Sequence, residues 1–497
     1  MRERIKESPC DELLTYIFRP AIAYDLQESY QSIVAINKAH VMMLAEEGII
    51  TKETAKKILE VTLDIERMQN EPKFAIDTDK EDLYFNMEKY LIDQTDLHIG
   101  GQQHTARSRN DLLATITRIN TRTQYFKLAE IFLKLRTTIL EAAEKNTQSI
   151  MSGYTHLQPS EPSTFGAYLS AISSALERDY ARFQNAYASL NLCPLGGCAV
   201  ASTSFAINRN TTADLLGFDA PIANSIDCVA SRDYALEIVN ALAMMSNTLS
   251  RMAQDLYVWA TPDFNYIEVG GCTAACSSIM PQKKNPITLE HIKAKAAHLE
   301  GFYVSLFSSM KNVAFTHSRD ISSEAIRFFW YALKEAEAQM QLTIPTIKTL
   351  QVNQDVMLKK AGENFCTVTE LANYLVRYDG ISFRAAHEIV GSVVVKAMAK
   401  HLTALEINRT LVNETCLELF SKETSLNDEL INKALDPVLN VAAKKYEGGS
   451  AEEEVNSQLQ KLRTALAKDN EILAARKEKI KSAEQKLNTK INEFQHS

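Results

Sequence analysis

Glycine and proline are scarce in this chain, 16 and 12 among 497 residues. Their scarcity excludes a turn-rich all-β fold, because hairpins need residues that accept unusual backbone angles. Alternating Val/Ile/Thr runs bounded by hairpin turns are also missing, so strand signals are weak. Positive charge is not in excess. The net charge is -8 and the pI about 5.8, which argues against nucleic acid or an anionic membrane as the main partner. No run approaches 18 apolar residues, so no transmembrane helix is expected. The N-terminus MRERIKESPCDELL has no apolar core and does not read as a secretory signal. Eight cysteines are scattered without a CxxC pair or a cluster with histidine. They read as reduced, mostly buried thiols, and the expected location is the cytoplasm.

What is present is a set of long stretches without breakers. Residues 111–151 and 222–261 contain neither glycine nor proline, and 287–344 contain only Gly301. All are rich in good helix formers. Continuous helices of that size span roughly 60 Å at about 1.5 Å per residue. They need neighbours of similar length, so a bundle is expected, either within one chain or shared between subunits. The fold class is all-α. The breakers divide the chain into shorter helices over 1–104, the long-helix bundle over 105–350, short helices over 351–450, and a charged tail over 451–497. Thr51 is placed to cap a helix after Gly48, and turns are expected at Asp379-Gly380 and Gly448-Gly449. The tail reads first as a solvated amphipathic helix, and second as one that packs on the bundle or on a partner.

Three stretches carry candidate chemistry. In the first, Arg107, Ser108, Arg109 and Asn110 sit at the mouth of a long helix. Free N–H groups and guanidinium forks there suit a carboxylate or phosphate; a capped helix with a solvated basic start is the alternative. The second is GYTHLQ at 153–158. Alone, His156 in a turn is more often structural than catalytic, and it gains interest only with an acidic tuner and a titratable group opposite. The third is CTAACSSIMPQKKNP at 272–286. Gly270, Gly271 and small residues make a loop able to move, followed by Ser277, Ser278, Lys283, Lys284 and an Asn285-Pro286 helix start. A nearby cation and helix N-terminus favour a serine alkoxide, and a mobile loop can close on a substrate. A polar linker is the plainer reading.

Together the three stretches resemble the signature regions of the argininosuccinate lyase branch of the fumarase/aspartase superfamily. That family shows HTGRSRND where this chain has HTARSRND, GYTHLQ as here, and GSSLMPQKKNP where this chain has CSSIMPQKKNP. PLGGCAVASTSFAINR at 194–209 is similar to its PLGAGALAGTSFPIDR. The likeness continues through FCTVTELANYLVR at 365–377 and LDPVLNVA at 435–442. It implies three mainly α domains and a homotetramer whose active sites draw one motif from each of three subunits.

The resemblance also implies roles. Ser277 would remove the proton next to a carboxylate. Lys283 would stabilise the doubly charged intermediate, and Asn285 would orient loop and carboxylate. His156 would handle the proton of the leaving nitrogen, with Glu290 paired to it. Ser108, Arg109, Asn110 and Thr155, with Arg107 and Ser278 beside them, would grip the substrate's carboxylates. No cofactor is implied, and neither GxGxxG nor metal-ligand spacing is found. The expected partner is a small dicarboxylate or amino-acid substrate.

Departures mark one end of the site. Cys276 replaces the loop glycine, with a stiffer loop expected, and Ala21 replaces a substrate-binding serine. Where the family has a pattern like AYNRDMQEDK, this chain has AFTHSRDISSE at 314–324. Phe315 lacks the tyrosine hydroxyl, and the Gln and Lys have no counterparts, leaving His317 or Arg319 as replacement contacts. The expected activity is cleavage of argininosuccinate to arginine and fumarate by serine-initiated β-elimination. The alternative is a lyase acting on another N-substituted aspartate, and a catalytically inactive, crystallin-type structural protein is the third reading.

Overall fold

The computed structural model describes residues 7–497. Five helices, Arg109–Glu144, Phe165–Leu190, Asp233–Trp259, Ile287–Met310 and Ala325–Lys348, form a closed bundle. Each packs on the next, and the fifth returns to the first. Their shared core includes Phe132, Leu176, Phe183, Leu242, Leu249, Leu299, Phe329 and Met340, all shielded from solvent. Burial of such side chains is worth about 1.5–3 kcal/mol each. A second core joins residues 30–116 to residues 193–218, and a third lies within residues 371–435.

The mainly helical fold is as expected, but two of the long breaker-free stretches are interrupted. Residues 222–261 form helix Ser225–Ala230, a break at Ser231-Arg232, and then helix Asp233–Trp259. At the break the Ser231 hydroxyl donates to the backbone carbonyl of Asp227 at 2.7 Å, and such local bonds compete with the helix ladder. Residues 287–344 split at Met310. Asn312 takes a left-handed φ of 65°, and a single π-helical turn, Asp320–Glu324, leads into the next helix. A second π turn lies at Asp25–Ser29. The smaller expectations at Thr51 and Gly380 hold: Thr51 Oγ1 accepts from Thr54 N–H, and Gly380 closes its helix at φ 66°.

One hairpin was not expected. Strands Ile150–Thr155 and Gln158–Thr164 pair antiparallel, with Thr155 opposite Gln158. They project from the end of the bundle that carries Glu144 and Trp259.

The tail is a 45-residue helix, Glu452–His496, and it is not solvated on all sides. It lies along Arg109–Glu144 and Phe165–Leu190 and buries Val455, Leu459, Leu462, Leu466, Leu473, Leu487 and Ile491. The weak apolar stripe is therefore a packing seam within the same chain. Buried Arg136 pairs with Asp469 at 2.5 Å. Exposed pairs Arg463–Glu144, Lys477–Glu130 and Lys486–Asp214 line its edge, each contributing little alone. Its last turns reach the second core, where Lys38 Nζ donates to Asn488 at 2.7 Å. The tail thus fastens the second core to the bundle. Deleting residues 451–497 uncovers this leucine seam, at about 2 kcal/mol per leucine. The truncated chain is expected to melt well below the full chain by calorimetry; an unchanged melting temperature would show the tail to be dispensable.

Candidate active site

The first motif is built on the start of helix Arg109–Glu144. Ser108 caps it, accepting from Asn110 N–H, while Asp111 accepts from Ser108 N–H at 3.0 Å. The other Asp111 oxygen accepts from the N–H groups of Gly196 and Cys198, at 2.8 and 2.9 Å. One solvent-free carboxylate therefore holds both the helix start and the 194–202 loop. Arg107 is buried and donates to Asn37 at 2.9 Å and to the Tyr84 hydroxyl at 3.0 Å. Arg109 pairs with Glu81 and Asp82, both at 3.0 Å, and stacks over Phe85. Ser108 and Asn110 remain half-buried, with Asn110 Nδ2 donating to the Ala199 carbonyl at 3.3 Å.

The backbone here is strained in a way the sequence hid. Ala106, Cys198 and Ser202 have φ of 58°, 52° and 57°. Each stands where the resembled family has glycine, and left-handed angles cost a residue with a Cβ about 1–2 kcal/mol. The loop glycine replaced by Cys276 is a different case. Cys276 lies in a short extended pairing, Ala275–Cys276 against Lys284–Asn285, outside the left-handed region, so its side chain meets no backbone penalty.

The second motif occupies the hairpin tip. His156 and Leu157 are the two turn residues, with φ of 54° and 57°. Two-residue turns of this kind favour Asn-Gly, and neither His nor Leu suits them. Both side chains are exposed, as is Thr155. Below the tip, the Tyr154 and Tyr266 hydroxyls bond at 2.6 Å. Strain of this type concentrates at functional sites, and this observation raises His156 above an ordinary turn residue.

The serine loop starts from a fixed base. A Cβ on Gly270 would come within 2.3 Å of Thr349, so this glycine serves close packing rather than motion. Thr273 is buried, and its carbonyl accepts from Thr288 Oγ1 at 3.2 Å. The exposed part begins at Cys276 and closes at Lys284, whose Nζ meets Glu268 at 2.6 Å. Ser277 Oγ accepts from the N–H groups of Ile279 and Met280, at 3.3 and 3.0 Å. These donors stabilise negative charge on the oxygen. Ser278 and Lys283 are exposed, and Asn285 Nδ2 donates to the Cys276 carbonyl at 3.5 Å. Glu290 follows in the first turn of Ile287–Met310, 3.4 Å from the Tyr257 hydroxyl.

The bundle distributes these groups to its two ends. Ser108–Asn110 share one end with the 311–324 segment, where Arg109, Arg232 and Arg319 surround His317. Burial and these three cations hold His317 down to about 4, so the ring is neutral near pH 7. Ala21 lies on the same side, one helical turn before Asp25. Ser277, Lys283, Glu290 and the His156 hairpin lie at the other end, separated by a 24-residue helix of about 36 Å. His156 forms no hydrogen bond with Glu290 or Ser277 among the described residues. Sequence reasoning gave no role to Arg232, Asp25 or Asp82. Phe315 is 71% exposed.

The long-helix bundle and the serine loop are those of a lyase: residues 19–301 match the family described as Lyase, and residues 365–442 match the argininosuccinate lyase C-terminal domain. Argininosuccinate lyase 1 of Shouchella clausii is 46% identical over 97% of each chain, and argininosuccinate lyase of Methanosarcina acetivorans is 35% identical over 99% of this chain and 98% of that one. The chain belongs to the argininosuccinate lyase family. Among solved structures, EDDS lyase in complex with formate superposes with a TM-score of 0.87 at 30% identity, covering 99% of this chain and 97% of that one. A fumarate lyase from Mesorhizobium sp. BNC1 shares the fold, with a TM-score of 0.70 at 18% identity over 92% and 99% of the two chains.

The strain at Ala106 gives a direct test. Ala106→Gly removes the left-handed penalty, partly offset by a more flexible unfolded chain. A net gain of about 0.5–1 kcal/mol is expected in urea unfolding; a loss of stability would show that the alanine's packing outweighs its angle.

Proposed function

We propose that this chain cleaves argininosuccinate to arginine and fumarate, serving arginine biosynthesis. The observation that carries the reading is the Ser277 oxygen. It is held by two backbone N–H groups on a loop that also presents Lys283, within a chain 46% identical to an argininosuccinate lyase over nearly its full length.

Ser277 takes the proton from the carbon beside a carboxylate of the succinyl half. The electron pair moves into that carboxylate, giving a doubly charged intermediate that Lys283 stabilises. Collapse breaks the C–N bond and forms the fumarate double bond, and His156 delivers a proton to the departing nitrogen. Glu290 tunes His156, Asn285 and Ser278 shape the loop, and Ser108, Asn110 and Thr155 hold the substrate's carboxylates. Arg107 and Arg109, committed to Asn37, Tyr84, Glu81 and Asp82, position that clamp.

The distribution of motifs supports a composite site. One chain holds clamp and base about 36 Å apart, so the reading requires a homotetramer in which one copy's clamp meets the hairpin and serine loop of others. Leu157, Ile279 and Met280 stand exposed at the tips that such contacts would cover. The eight free thiols suit the reducing cytoplasm. A division into 1–104, 105–350, 351–450 and a tail of 451–497 draws support from the three larger cores, while the N-terminal core also takes residues from 112 to 218 and from the tail.

A second reading has its own support. The 314–324 segment departs from the family at the amine end, and EDDS lyase is structurally close. The alternative is release of fumarate from a different N-substituted aspartate.

Purified enzyme with argininosuccinate is expected to produce fumarate, followed by ultraviolet absorbance. Ser277→Ala should lower the rate by at least about 100-fold, the lower range for loss of a positioned base. No fumarate from folded wild-type protein would discard argininosuccinate and make EDDS and other aspartate adducts the next substrates.

A further inference from the structure

The hairpin that carries His156 has little of its own to hold its tip. It is two-stranded, and such a ribbon alone is marginal in water. Both turn residues are strained, and no side chain of residues 155–160 forms a hydrogen bond or ion pair among the described residues. The base is well fixed. Asn364 Nδ2 donates to Ser152 Oγ at 2.8 Å, and Lys444 Nζ donates to the Pro162 carbonyl at 2.8 Å. Between base and tip the strand pairing slips at Gly153. A Cβ there would come within 2.8 Å of the Glu161 carbonyl oxygen, so this close approach requires glycine. Such a slip re-aims the neighbouring side chain. Tyr154 packs with its ring centroid 5.6 Å from that of Phe264 and 6.2 Å from that of Tyr266.

The Tyr154–Tyr266 hydroxyl bond, at 2.6 Å, is the side-chain hydrogen bond nearest the tip. Tyr266 is fully buried. Burial raises both phenols, so neither ionises near neutral pH and one hydroxyl donates to the other. Ser152 Oγ lies beside both. Tyr266 is itself fixed at its backbone: its N–H donates to the Trp259 carbonyl at 3.0 Å, and its carbonyl accepts from Asn353 N–H at 2.9 Å. Two residues further on, Glu268 pairs with Lys284, where the serine loop closes. The histidine hairpin and the closing end of the serine loop therefore share one frame, and the join between them near the tip is this pair of hydroxyls.

We propose that Tyr266 is a positioning residue: its hydroxyl, through Tyr154, holds the hairpin so that His156 stands where it can deliver a proton to the departing nitrogen. The assignment rests on the lyase reading and deepens it. Tyr266 touches no reacting atom and acts only through Tyr154. Misplacing a reacting group by about 1 Å can cost about 100-fold in rate, and without this bond the tip keeps no side-chain hydrogen bond of its own.

Tyr266→Phe removes the hydroxyl and keeps the ring. On argininosuccinate, or on whichever aspartate adduct the enzyme cleaves, kcat is expected to fall about 10-fold while KM stays within about twofold and the variant melts as the wild type does. Tyr154→Phe should behave alike, and the double variant should be no slower than either single, because all three lose the same bond. In a His156→Asn background, Tyr266→Phe should lower kcat no further. A merely structural role would lower it there by the same factor again and overturn the assignment. A wild-type kcat in Tyr266→Phe would overturn it too, as would losses that multiply in the double tyrosine variant; that comparison decides alone if His156→Asn is too slow to measure. If His156→Asn turns over as fast as the wild type, the histidine's role fails and the positioning role with it. A slow His156→Asn beside a fast Tyr266→Phe discards the positioning role and leaves the lyase reading intact.

Discussion

The fixed rise of one helix governs the rest of the structure. Arg109–Glu144 runs 36 residues, about 54 Å, and puts the anion clamp and the histidine hairpin at opposite ends of the bundle. The solvent-free Asp111 carboxylate then locks the helix start to the 194–202 loop. With Ser108–Asn110 rigid and remote from Ser277, the proposed chemistry calls for several chains brought together.

Strain is stored where function needs form. His156 and Leu157 turn a hairpin without glycine or asparagine, and Ala106, Cys198 and Ser202 hold left-handed angles around the clamp. The bundle core and the tail seam offset these costs. The tail does so by tying the N-terminal core, which carries Asp25 and Asp82, to the helices that carry Arg232 and the 311–324 segment.

Much of the fold was legible because helix formers and breakers are local signals. The bundle, the Thr51 cap and the Gly380 stop all follow from composition and spacing. The breaks at Arg232 and Asn312 were not legible, since they come from hydroxyl competition and a left-handed asparagine inside helix-forming sequence. The hairpin at 150–164 was missed because its turn is His-Leu and its second strand carries two prolines, Pro159 and Pro162. The tail stripe looked too weak to bury because its leucines are widely spaced; only the neighbouring helices reveal a continuous seam. Within the candidate site, the motifs marked Ser277, His156 and the clamp. Arg232 belongs to no such stretch, and only its burial with two unpartnered guanidinium nitrogens draws attention to it.

The central claim, a lyase whose site is assembled from several copies, is tested most directly by mixing two inactive variants. Asn110→Ala lesions the clamp and Ser277→Ala the base. Unfolded together and refolded, the two chains should form hybrid assemblies in which some sites carry neither lesion, and fumarate release should return. Each variant refolded alone should stay inactive. If the mixed assemblies form yet release no more fumarate than the separate variants, the site is contained within one chain and the account is wrong.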